Sequence, residues 1–148
     1  MAEQGAHPTR LVLDTNVVVA GLLWNGPPRR LLDLGMGDAV ELVSSTVLLD
    51  ELARTLAYPK FAARIERFGA TIDALLAHYT ALIARVTPAT VARVSRDPDD
   101  DHVIACALAA QADAIVSGDR DLLVLERYHD IPIVTPAHAL KLIDVAQE

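Results

Sequence analysis

Cysteine, aromatic residues and long apolar segments are all scarce in this chain of 148 residues. Cys106 is the only cysteine, which excludes an internal disulfide bond and a cysteine-based zinc site within one chain. Apolar runs such as residues 103–110 are well short of the ~18 residues that span a bilayer, and no basic start followed by an apolar segment indicates a signal peptide. We therefore expect a cytoplasmic protein.

Positive charge is also in short supply, with 13 Lys and Arg residues against 20 Asp and Glu and a net charge of −7. This balance argues against broad electrostatic adhesion to nucleic acid, which needs basic surface. One local exception is residues 54–67, where Arg54, Lys60, Arg64 and Arg67 stand against Glu66 alone. Any nucleic-acid role must therefore be local, and the simpler alternative for this segment is a solvated helix face.

The arrangement of apolar segments and chain breakers predicts the domain organisation. Residues 1–9 are polar and contain Gly5 and Pro8, which predicts a flexible leader before a single domain at residues 10–148. Within that domain, short apolar runs alternate with segments of helical spacing, beginning with the run that ends at Leu13. This alternation is typical of an α/β protein with a mostly parallel central sheet and helices on both faces.

Two acidic residues follow predicted strands directly. Asp14 ends the apolar run that begins at Arg10, and Asp119 lies just beyond the run from Ala114 to Ser117. Ligands of open parallel sheets bind beyond the carboxyl ends of the strands, so both are candidate functional residues. The alternative is that each carboxylate only caps the helix or turn that follows it.

Helical geometry at 100° per residue selects one acid of the pair Asp50 and Glu51. Leu48, Leu52 and Leu56 define an apolar stripe. Glu51 lies at the edge of this stripe, where a carboxylate can face a cleft, whereas Asp50 points to solvent. An ordinary exposed glutamate is the alternative for Glu51.

The same geometry applies to the acidic segment that precedes the next apolar helix. Asp101 aligns with Ile104, Ala105 and Leu108, so we expect it to point with the buried stripe. Asp100 is then the better candidate for a helix cap, although the choice of ligand between Asp100 and Asp101 stays open.

Four carboxylates in one cleft would repel one another, and a bound cation resolves that repulsion. Hard oxygen ligands without paired His or Cys residues favour Mg²⁺ or Mn²⁺ over zinc. A metal held in this way activates water and stabilises charge on a phosphate, which points to a phosphodiester substrate. The predicted metal-site and catalytic acids are Asp14, Glu51, Asp101 and Asp119, with Asp121 as a further metal-site acid.

Polar and basic residues near these acids are candidates for substrate binding. Thr15, Asn16 and Ser117 adjoin the predicted acids and are expected to orient water or the carboxylates. Arg54 and Arg64 are expected to guide a bound strand across the local basic segment.

Four segments of the chain resemble the motifs of the PIN-domain family, specifically its bacterial toxin components of toxin–antitoxin pairs. These segments are Leu13–Val17 (LDTNV), Leu48–Leu52 (LLDEL), Asp97–Ala105 (DPDDDHVIA) and Val116–Leu123 (VSGDRDLL). The resemblance implies a three-layer α/β/α fold and a metal-dependent endoribonuclease directed at single-stranded RNA. It further implies a homodimer inhibited by a small antitoxin protein that inserts into the active-site groove.

Two rival functions use some of the same features. A phosphatase of the haloacid-dehalogenase kind also begins with an Asp after a strand, but it needs a second acid at the position that Asn16 occupies here. A non-catalytic PIN-like interaction module would act only by pairing with a partner, and retention of all four acids tells against it. Trp24 is expected in the core or an interface rather than as a platform for nucleic-acid bases.

Overall fold

The computed structural model describes residues 7–90 and 98–147 of the chain. Its elements in the first described range are β1 Thr9–Leu13, α1 Thr15–Leu23, α2 Pro27–Leu34, β2 Val40–Ser44, α3 Thr46–Leu56, α4 Pro59–Arg67, α5 Ile72–Leu82 and β3 Ile83–Arg85. Those in the second are α6 Pro98–Ala110, β4 Ala114–Val116, α7 Arg120–Leu123, β5 Arg127–Tyr128, β6 Ile131–Val134 and α8 Pro136–Gln147.

The strands form one sheet in the order β3-β2-β1-β4-β6-β5. All neighbouring pairs are parallel except β5 and β6, which are antiparallel. After β1 the chain moves outward through β2 and β3, and after β4 it moves outward in the opposite direction. The crevice between β1 and β4 is therefore the topological switch point of the sheet, where ligands of open α/β proteins bind.

The core lies on both faces of the sheet because side chains alternate along each strand. Leu11 and Leu13 of β1 pack with residues of α1, α2, α3, α5 and α8. Val12 points the other way and packs with α6, α7 and the strand residues Val43 and Ile115. The predicted α/β fold with a mostly parallel sheet in three layers is confirmed.

Helix starts place polar residues at the ends of strands. Asp14 and Ser45 follow β1 and β2 in extended conformation, and each accepts a hydrogen bond from an amide of the helix that it begins. Tyr58 is the extended N-cap residue of α4, and Pro59 is its first residue, where the fixed φ angle of proline suits a helix start. Helices therefore begin directly after β1 and β2, at the same edge of the sheet.

Residues 1–6 of the predicted leader lie outside the described residues, and Thr9 already pairs with Val40 in the sheet. Within the part of the chain that the structure describes, no helix combines the length and apolar character needed to cross a membrane.

Candidate active site

Asp14 anchors the site at the carboxyl end of β1. Its amide donates to the carbonyl of Val116 at 2.9 Å, which ties the end of β1 to the end of β4. Its carboxylate accepts from the amide of Thr15 at 2.8 Å through Oδ1 and from the hydroxyl of Ser117 at 2.8 Å through Oδ2. The residue is 6% exposed, and both donors help to fix the orientation of its carboxylate.

Asp119 lies just after β4, the strand that pairs with β1. Ser117 follows β4, and its hydroxyl oxygen accepts from the amide of Asp119 at 2.9 Å while its proton goes to Asp14. The carboxylate of Asp119 caps α7 by accepting from the amide of Asp121 at 2.8 Å. Ser117 thereby links the two strand-end acids that the sequence singled out.

Asp100 supplies the third carboxylate from the first turn of α6. It is only 2% exposed, although aspartate is rarely buried to this degree. One carboxylate oxygen from each of Asp14, Asp100 and Asp119 lies within 4.8 Å of the other two. The three acids, contributed by segments far apart in sequence, therefore form one cluster.

The cluster lies where three helices begin. Asp14 and Asp119 are the N-caps of α1 and α7, and Asp100 is the third residue of α6. Amides at a helix N-terminus carry partial positive charge, which favours a nearby carboxylate by about 0.3–1 kcal/mol. The capping role considered from the sequence thus holds for Asp14 and Asp119, and it coexists with membership of the cluster.

Glu51 approaches from α3. It is buried, and its Oε1 accepts a hydrogen bond from the hydroxyl of Thr15. Its backbone carbonyl accepts from the hydroxyl of Thr55 at 2.9 Å, which fixes the helix at this point. Glu51 lines the same cleft as Asp14 and Asp100 but lies outside the group of three clustered carboxylates.

The sequence-predicted residues divide into those that the fold brings together and those that it does not. The cleft has a volume of about 200 Å³ and is lined by Asp14, Thr15, Asn16, Glu51, Arg54, Thr55, Tyr58, Asp100 and Asp119. Ser117 lies directly beneath Asp14 and is fully buried. Asp121 is exposed on α7, and the guanidinium of Arg64 on α4 contacts Trp24 and the carbonyl of Leu23. Neither residue lines the cleft.

The position of Asp101 differs from the expectation. The most deeply buried stripe of α6 contains Val103, Ile104 and Ala107, each 0% exposed, and this stripe aligns with Asp100 at i+3, i+4 and i+7. Asp101 is turned away by one residue and is half-buried outside the cleft lining. The expected stripe was centred one residue too late because it included Leu108, which is only partly buried.

Sequence reasoning missed Tyr58 and Thr55 as lining residues of the cleft. Thr55 lies one helical turn after Glu51, a spacing that would have identified it. Tyr58 carries no comparable signal, because it lies between two helices and its direction depends on the turn.

The residues present fit a divalent cation. Three carboxylates within 4.8 Å of one another offer hard oxygen ligands and concentrate negative charge in a cleft with room for water. Such charges repel one another when they are partly removed from solvent, and a divalent cation opposes that repulsion.

Comparison with known proteins gives three findings. A chain in the crystal structure of FitAcB from Neisseria gonorrhoeae is similar in fold, with a TM-score of 0.53 and 16% sequence identity, over 86% of this chain and 99% of that chain. No protein of curated function matches the sequence significantly. The sequence profile of the PIN domain matches residues 10–121, a range that contains every acid lining the cleft. The chain therefore belongs to the PIN-domain family.

Proposed function

We propose that this chain is a Mg²⁺- or Mn²⁺-dependent endoribonuclease that hydrolyses phosphodiester bonds of single-stranded RNA in the cytoplasm. The observation that carries the proposal is the group formed by Asp14, Asp100 and Asp119, whose carboxylate oxygens lie within 4.8 Å of one another at the switch point of the sheet. Membership of the PIN-domain family supports the same chemistry.

Asp14, Asp100 and Asp119 would hold the cation in this proposal. When bound, it supplies Lewis acidity toward the phosphate and lowers the pKa of water. Ser117 holds Asp14 through its hydroxyl, and Thr15 holds Glu51, so both acids are oriented before substrate arrives.

The products follow from the bond that hydrolysis breaks. Water adds to phosphorus and the P–O3′ bond breaks, so a 5′-phosphate and a 3′-hydroxyl remain. Asn16 and Arg54 are exposed at the mouth of the cleft, where an amide and a guanidinium can contact phosphate oxygens. These two residues position the strand and the acids perform the chemistry.

The biological role that we propose is that of the toxin in a toxin–antitoxin pair, active as a homodimer and inhibited by a small cognate protein. This part rests on the resemblance of the four sequence motifs. Sedimentation measurements test the dimer, and capture with the product of a neighbouring gene tests the antitoxin.

The decisive experiment is cleavage of end-labelled single-stranded RNA by the purified chain in Mg²⁺, Mn²⁺ or EDTA. We expect metal-dependent cutting that Asp14→Asn lowers by at least about 100-fold without loss of the folded circular dichroism spectrum. Asp50→Asn is the matched control, because Asp50 is exposed on α3 beside Glu51 and outside the cleft. Cutting by Asp14→Asn at the wild-type rate in Mg²⁺ would contradict the proposal.

A further inference from the structure

Aromatic side chains are rare in this protein, yet most of them gather around α4. Of the six in the sequence, Trp24, Tyr58, Phe61 and Phe68 lie on α4 or beside it. Trp24 is 41% exposed, Tyr58 is 50% exposed and Phe68 is 55% exposed. Such rings are normally buried, so three exposed ones on or beside one short helix require an explanation.

Cations lie against these rings. The guanidinium carbon of Arg64 is 5.1 Å from the ring centre of Trp24 and 4.7 Å from that of Phe68. The Nζ of Lys60 is 5.2 Å from the ring centre of Phe61, which itself meets Trp24 edge to face. The Nε of Arg64 also donates to the carbonyl of Leu23 at 2.8 Å, so the guanidinium is fixed between two rings.

The helix places its cations side by side. At 100° per residue, Lys60, Arg64 and Arg67 fall within about 60° of one another, with Phe61 and Phe68 both next to them on one side. Lys60 and Arg67 are exposed, whereas Arg64 is half-buried by its contacts. In a chain of net charge −7, this face is a local concentration of positive charge.

The N-terminal end of α4 adjoins the cleft. Tyr58 precedes α4 directly, and it lines the cleft together with Arg54. From Tyr58 to Phe68 the helix rises by about 15 Å, the length of about four nucleotides stacked at 3.4 Å. A strand that leaves the acidic group past Tyr58 and follows α4 can therefore reach Phe68 within about four nucleotides.

We propose that Trp24, Tyr58 and Phe68 form a stacking platform for the bases of single-stranded RNA, while Lys60 and Arg67 contact its phosphates. The inference rests on the proposed ribonuclease function and names the residues that select an unpaired strand. Surfaces that combine a positive track with exposed rings bind single strands without sequence preference, because every base has a π-face. A duplex hides those faces in its own stack.

Arg64 is a positioning residue in this proposal. Its contacts with Trp24 and Phe68 hold the two rings in fixed orientations, so its effect on RNA passes through them. Lysine lacks the planar group needed for this contact, and Arg64→Lys is therefore expected to weaken RNA binding despite conserving charge.

An RNA occupant fits this face better than a second copy of the chain. The face combines cations with exposed rings, and an RNA strand complements both with its phosphates and its bases, whereas the acidic surface of a second copy complements only the charge. A partner protein that covers the face is the competing outcome in the experiment below.

Trp24 makes the test direct because it is the only tryptophan in the chain. The fluorescence of the full chain carrying Asp14→Asn is titrated in Mg²⁺ with a twelve-nucleotide uridine RNA and with a blunt duplex of equal length. We expect quenching and tighter binding with the single strand. Tyr58→Ala and Phe68→Ala should each weaken that binding by roughly 5- to 10-fold, and Tyr58→Phe should retain it. Met36→Ala, an exposed apolar residue outside this face, should bind as the parent does.

The outcomes distinguish failure of the stacking platform from failure of the proposed ribonuclease function. Unchanged affinity in both Tyr58→Ala and Phe68→Ala overturns the platform, as does equal affinity for duplex and single strand. Loss of self-association in these variants with unchanged RNA affinity also overturns it and assigns the face to a protein contact. RNA that is degraded by the Asp14→Asn chain during the titration contradicts the proposed active site while leaving the platform in place.

Discussion

The hydroxyl of Ser117 connects two of the three clustered carboxylates. It donates to Oδ2 of Asp14 at 2.8 Å and accepts from the amide of Asp119 at 2.9 Å. Because it is fully buried, water cannot readily replace it in either bond. Residues of this kind set the direction of a metal ligand without touching the metal.

Ser117→Ala should therefore reduce both cation affinity and RNA cleavage by roughly 10- to 100-fold while the fold is retained. Calorimetric titration with Mn²⁺ and cleavage at saturating Mn²⁺ measure the two effects separately. Thr80→Ala is a matched control, because its hydroxyl donates to the carbonyl of Leu76 at 2.7 Å and its removal leaves the cleft intact. Equal cation affinity in Ser117→Ala and the wild type would contradict this role.

Adjacent aspartates on α6 offer a second test at the residue scale. Asp100 belongs to the clustered acids, whereas Asp101 is half-buried outside the cleft lining. Asp100→Asn should abolish measurable Mn²⁺ binding and cleavage, and Asp101→Asn should keep cleavage within about threefold of the wild type, since surface changes are usually small in effect. The reverse ranking in a parallel assay would assign the ligand to Asp101.

Close packing of α1 on α2 supports the site at the scale of secondary-structure elements. A Cβ atom at Gly21 would lie 2.8 Å from Cδ1 of Leu32 and 2.9 Å from the carbonyl oxygen of Pro28. Only glycine permits this approach of the two helices. Since α1 begins with Thr15 and Asn16 at the cleft, the packing also fixes those residues.

Gly21→Ala should lower the free energy of unfolding by about 1–3 kcal/mol, because overpacking outweighs the ~1 kcal/mol by which alanine favours a helix. Urea unfolding measures this difference. Gly37→Ala provides the comparison, since its Cβ would meet only the carbonyl oxygen of Leu34 at 3.7 Å. A stability gain in Gly21→Ala would show that the two helices separate at little cost.

The sequence predicts most elements because their signals are local. Strand ends followed by Asp14 and Asp119 identify the switch-point edge of the sheet. Helix-breaking residues mark where the helices begin and end. β5 was not predicted, since its two residues leave no alternation to detect and its turn contains His129 at φ 53° instead of glycine. A turn that relies on a strained non-glycine residue is determined by tertiary contacts, which the sequence does not display.

The candidate site is less predictable than the fold because it depends on direction as well as on position. A shift of one residue turns a helical side chain by about 100°, which separates Asp100 from Asp101. Trp24 illustrates the same limit, since its apolar character predicts the core or an interface without deciding between them, and in the fold the residue is 41% exposed beside α4. The apolar pattern of the sequence identifies a helix, whereas packing in the fold determines which of its side chains faces the cleft.

At the scale of the whole molecule, buried acidic groups limit stability in alkali. Burial raises the pKa of the Cys106 thiol from 9.0 to about 12. Burial also raises the pKa of Tyr79, with a smaller effect from the neighbouring Cys106. Both groups keep their protons in the folded chain at a pH where the unfolded chain releases them.

The contribution of the Cys106 thiol to the free energy of unfolding is thus fully present below pH 9.0 and is lost as pH rises toward about 12. At one pH unit above the unfolded pKa, the free energy of unfolding should fall by about 1.4 kcal/mol through this group. Urea unfolding at pH 8 and pH 10 measures the change, and Cys106→Ala should show a smaller decline. Identical declines in the two proteins would exclude a contribution from the thiol.

The parallel pairing of β1 with β4 also determines when a newly synthesised chain can form its cleft. A nascent chain that has been synthesised only through α5 contains Asp14 and Glu51 but neither Asp100 nor Asp119. Its cleft cannot assemble until β4 and the turn after it have emerged from the ribosome and joined β1. Under the proposed ribonuclease function, partly made chains therefore lack two of the three clustered acids and should not cut the messenger RNA that encodes them, and the proposed antitoxin needs to bind only chains in which this late pairing has occurred.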